Sequence, residues 1–63
     1  MDDRVLKELT QQIHVLKETA LAVRSKGVNL RIPAVERNAA RILASVKMLE
    51  LTMGDLLDDR AEG

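Results

Sequence analysis

At 63 residues, with 10 basic and 10 acidic side chains and no cysteine, the chain is one small domain that cannot form a disulfide scaffold, a thiolate zinc site or a redox dithiol. Its formal net charge of zero leaves no overall electrostatic pull on nucleic acid. The absence of Phe, Tyr and Trp removes the stacking platforms that single-strand binders use. Apolar residues make up 46% of the sequence and recur periodically, which argues against disorder. Ala, Leu, Glu, Lys and Arg predominate, the palette of long helices. No apolar run approaches the roughly 18 residues of a membrane span. The acidic start at Asp2 and Asp3 is the wrong charge for a secretion signal. A cytoplasmic protein is the expectation.

The first helix is expected over residues 3–26. Asp2 or Asp3 can cap its free N–H groups and suits the positive end of its dipole. Leu6, Leu9, Ile13, Leu16, Ala20 and Val23 then follow at alternating steps of three and four, the seam of a helix that packs on helices. Lys7, Glu8, Gln11, Gln12, Lys17 and Glu18 lie off that seam and should face water. Gly27 is the expected stop, taking the left-handed conformation common just past a helix end. Val28 would then clasp Val23.

A connector is expected over residues 27–32. It carries Val28, Leu30 and Ile32, of which at least two should cover the end of the core. Pro33, with no N–H and φ held near −65°, marks the first position of the second helix. That helix is expected over 33–57. Its seam is Val35, Ala39, Ile42, Val46, Leu49, Met53 and Leu56. Gly54 weakens its end, and Asp55, Asp58 and Asp59 oppose its dipole there. Fraying past Met53 and a flexible tail over 60–63 follow.

A short link between two long helices implies an antiparallel hairpin. A lone hairpin leaves its seams half wet, and further apolar residues lie outside them. Leu43 and Leu57 flank one side. Ala40, Ala44, Met48 and Leu51 form a second stripe, and Val5, Val15 and Leu21 do likewise on the first helix. The reading is an all-α, antiparallel two-helix hairpin that self-associates into a four-helix bundle, most simply a homodimer. Its oligomer interface would be Leu6, Leu9, Ile13, Leu16, Val23, Val35, Ile42, Val46, Leu49, Met53 and Leu56. In architecture this is similar to the Rop-type bundles, which are paired helical hairpins; the resemblance extends to no function.

Charge is unevenly spread. Arg24, Lys26, Arg31, Arg37, Arg41 and Lys47 face only Glu36 in the middle of the chain. Glu50, Asp55, Asp58, Asp59 and Glu62 face only Arg60 at its end. Antiparallel subunits would set the basic connector of one beside the acidic ends of the other.

Catalytic and metal chemistry find little support. His14 has Glu18 one turn away, but one His and one Glu are too few for a metal site. Ser25 and Ser45 read as spacers, not nucleophiles, because no positioned base accompanies them. No enzyme, cofactor or metal is expected. The leading function is a small non-enzymatic interaction module, an adaptor or accessory subunit acting as a homo-oligomer, with Ala40, Ala44, Met48 and Leu51 as a possible groove for a larger protein partner. The alternative is a nucleic-acid-binding regulator, with Arg24, Lys26, Arg31, Arg37 and Arg41 contacting an anion or nucleic acid from the connector end.

Overall fold

The computed structural model describes residues 2–62, with side chains through Asp58. It contains two helices, α1 (Asp3–Asn29) and α2 (Pro33–Glu62), folded back on each other as a hairpin. Asp2 caps α1. Its backbone is extended, and its carboxylate accepts the Arg4 N–H at 2.8 Å. The Leu6 N–H donates to the Asp2 carbonyl at 3.0 Å, closing the first turn. Two back-bonds, Thr10 Oγ1 to the Leu6 carbonyl and Thr52 Oγ1 to the Met48 carbonyl, both 3.0 Å, satisfy the threonine hydroxyls inside their own helices.

The two helices meet along one line. Leu6, Ile13, Ala20 and Gly27 are the buried residues of α1, each seven after the last. Ala39, Val46 and Met53 repeat the same spacing on α2 and are likewise buried. Seven residues turn an α-helix through nearly two full rotations, so each set forms one straight column. The larger members, Leu6, Ile13, Val46 and Met53, cluster away from the connector with Leu56 packed against them. The small ones, Ala20, Gly27 and Ala39, lie toward it.

That gradient in size explains the first departure from expectation. Gly27 does not end α1 and has no positive φ. It is buried, and a Cβ at this position would stand 2.8 Å from Val35 Cγ1 and 3.1 Å from the Glu36 backbone nitrogen. Here glycine serves close approach of the first turn of α2, not backbone freedom. α1 instead runs on through Asn29, and the connector shrinks from the expected residues 27–32 to 30–32.

The left-handed residue is Arg31, with φ 57. Its N–H donates to the Val28 carbonyl at 3.1 Å, and the Ile32 N–H donates to the Gly27 carbonyl at 2.9 Å. These two bonds define a Schellman stop centred one turn later than glycine placement implied. Ile32 then accepts the N–H groups of Val35 and Glu36 at 3.1 and 3.2 Å, opening α2 with Pro33 at its first position. The shift also corrects the expected role of the connector's apolar residues. Val28, Leu30 and Ile32 are all exposed, because Gly27 and the first turn of α2 already close that end. At the far end the helix runs past its expected end at residue 57, through Glu62; Gly63 lies outside the described residues.

Three substitutions at the glycines and the stop have opposite or distinct expected effects. Gly27→Ala should lose about 1–3 kcal/mol through overpacking. Gly54→Ala, where nothing lies within 4 Å of the new methyl, should gain about 1 kcal/mol of helix propensity. Urea melts of the two variants will read the opposite signs. Arg31→Gly should raise stability by up to about 1 kcal/mol by relieving the left-handed cost of a side chain; an unchanged or lower melting temperature would mean that the Arg31 backbone carries no such cost.

Candidate interaction interface

Because only one column per helix faces the other, the hairpin has two long edges, and their chemistry differs. One edge carries Thr10, Lys17 and Arg24 from α1 opposite Glu36, Leu43, Glu50 and Leu57 from α2. Lys17 Nζ lies 3.6 Å from Glu50 Oε2, joining the helices across it. A shallow groove on this side is lined by Thr10, Ile13, His14, Glu50, Met53, Gly54 and Leu57. His14 Nε2 is 3.9 Å from Glu18 Oε1, and both side chains are exposed.

The other edge is apolar. Leu9, Leu16 and Val23 of α1 and Ile42 and Leu49 of α2 each remain between 41% and 49% exposed. Val35 and Leu56 continue the same row half-buried. These are the alternate members of the two sequence seams, each three residues beyond a buried one. At 100° per residue they stand about 60° off the contact line, too far round to be covered by one neighbouring helix. Beside them runs a further column of Gln12, Thr19, Asn38, Ser45 and Thr52, small or uncharged and all exposed. From Leu9 to Val23 on α1, and from Val35 to Leu56 on α2, neither column contains a single charge.

The expected oligomer interface therefore divides in two. Leu6, Ile13, Val46 and Met53 are covered within the hairpin itself, whereas Leu9, Leu16, Val23, Ile42 and Leu49 form an open row flanked by Val35 and Leu56. The expected partner groove lies elsewhere. Ala44, Met48 and Leu51 project from the side of α2 that faces away from α1, with Ala40 at the margin, and all four are exposed. The five cations Arg24, Lys26, Arg31, Arg37 and Arg41 are exposed and do not converge. Arg24 lies on the polar edge, Lys26 at the connector end of the apolar edge and Arg31 in the connector. Arg37 and Arg41 point outward from α2, and Arg41 Nη1 donates to Asn38 Oδ1 at 3.5 Å. Sequence reading missed the uncharged column beginning at Gln12. The signal was present, since every seventh residue from Gln12 to Thr19 and from Asn38 to Thr52 is neutral, but attention to apolar periodicity alone passes over it.

No helix among the described residues is long and apolar enough to cross a membrane. Comparison with known proteins finds no matching family model, curated protein or solved structure.

The exposed Lys17–Glu50 pair contributes little, since two flexible side chains must be held together in high dielectric. Lys17→Ala should cost less than about 1 kcal/mol, and 1 M salt should remove most of that difference. A thermal melt series at low and high salt measures it; a larger loss insensitive to salt would assign Lys17 a packing role.

Proposed function

We propose that the protein is a non-enzymatic helical interaction module, an adaptor or accessory subunit whose working form is a homodimer. Two hairpins join through their apolar edges into a four-helix bundle. The observation that carries this reading is the charge-free apolar edge. It combines a row of half-exposed Leu, Ile and Val with a neutral rim, the composition of a surface that is covered rather than solvated. The Thr52 hydroxyl is already satisfied by the Met48 carbonyl, so burying it strands no donor.

Size supports the same reading. The hairpin measures 49 × 17 × 11 Å, and its broad face has a footprint of about 800 Å², the amount each partner contributes to a standard stable interface. A second copy presents the same row and the same rim, and a two-fold arrangement makes such a face self-complementary. An antiparallel arrangement also sets the basic connector end of one hairpin, with Lys26 on the docking edge, beside the acidic end of α2 in the other. Surface charges of this kind bias orientation more than affinity.

Sedimentation equilibrium should give twice the 7.0 kDa chain mass at micromolar concentration, with helicity that falls on dilution. Leu16→Glu or Leu49→Glu should weaken association by more than a hundredfold, since an unpaired charge held in an interface costs about 3 kcal/mol or more. A sharply melting monomer with no dilution dependence would contradict the dimer.

A further inference from the structure

The edge-to-edge dimer leaves the outward side of α2 uncovered, and that side carries an ordered pattern of its own. Arg37 and Arg41 come first, Ala44, Met48 and Leu51 next, and Asp55 and Asp58 last. On a helical wheel the first six lie within an arc of about 80°, with Asp58 at its margin. Val46, which faces α1, is on the opposite side of the helix, so the stripe points away from the rest of the hairpin. Met48 is 62% exposed and Leu51 52%.

Each half of this stripe is locally unfavourable. Arg37 and Arg41 are like charges one turn apart, an arrangement that destabilises an isolated helix. Asp55 and Asp58 approach the negative end of the α2 dipole. Among the described residues none of the four forms an ion pair. Both defects are relieved by the other half of the same stripe, provided that it comes from another molecule running in the opposite direction.

The register for such a pairing is built in. Arg41 precedes Met48 by seven residues and Asp55 follows it by seven. A two-fold axis through Met48 therefore sets Arg41 opposite Asp55 of a second copy, and Asp55 opposite Arg41 of that copy, each about 10 Å from the axis. Arg37 and Asp58 fall opposite each other to within one residue. Ala44 then faces Leu51 beside the axis, a small side chain against a large one, with the two Met48 side chains meeting at the centre.

We propose that the outward stripe of α2 binds the same stripe of a second copy, antiparallel and centred on Met48. The contact stands on its own residues. That it joins dimers into larger assemblies rests on the apolar-edge reading above. A chain with two different two-fold faces either closes as a tetramer or continues as a filament.

A charge-reversal cycle tests this on the full chain, with circular dichroism confirming that every variant stays helical. At low salt the wild type should pass from dimer to tetramer or longer species as concentration rises toward millimolar. Arg41→Asp alone, or Asp55→Arg alone, should weaken that step by about tenfold or more, because each converts two attractions into two repulsions across the axis. The double variant R41D/D55R should restore it, and 0.5 M salt should weaken it in wild type and double variant alike. A wild type that stops at the dimer at millimolar concentration, or a double variant no better than its parents, would overturn the stripe contact and leave the edge dimer standing. A dimer that Arg41→Asp splits and Leu16→Glu leaves whole would instead support the stripe and remove the edge reading.

Discussion

Two straight antiparallel helices can touch along only one line, and the rest of this structure follows from that limit. One residue in seven on each helix lies on the line, and among the described residues these are the buried ones: Leu6, Ile13, Ala20 and Gly27 against Ala39, Val46 and Met53. Everything else is on a surface. A hairpin so built has no interior to spare, and its stability and its interactions both depend on what its edges and outer sides carry.

Those sides are chemically sorted. The edge with Lys17 and Glu50 has charge, an ion pair and a groove, and it can stay in water at little cost. The edge with Leu9, Leu16, Ile42 and Leu49 is charge-free from Leu9 to Val23 and from Val35 to Leu56, and its apolar row stands half-exposed. The outer side of α2 is graded from basic through apolar to acidic. On the neutral rim of the apolar edge, Thr52 turns its hydroxyl inward to its own helix. The connector end is tight for a different reason. Gly27 lets α2 begin almost on top of α1, and Arg31 takes the left-handed position that closes the turn.

The seam periodicity made two helices and a hairpin legible in the sequence, because a step of three or four is a property of one helix and needs no partner to be seen. A cap at Asp2 or Asp3 and Pro33 as a start were legible for the same reason, and the structure places the cap at Asp2. The turn was not. Gly27 could serve either a positive φ or a close approach, and only the position of Val35 decides between them. Once Gly27 lies under α2, the stop must move to Arg31, and Val28, Leu30 and Ile32 lose the core end that they were expected to cover. The continuation of α2 to Glu62 likewise runs against the local signals of Gly54 and the aspartates.

The sequence by itself determined the number of helices, their antiparallel return and the set of apolar residues available for packing, since all of these follow from local spacing and chain length. Only the tertiary structure decided which half of each seam is buried inside the hairpin and which half stands open beside a neutral rim. That division depends on the rotation of each helix about its own axis, which shows only where the helices meet, as where Gly27 lies against Val35, a contact that no single stretch of sequence contains.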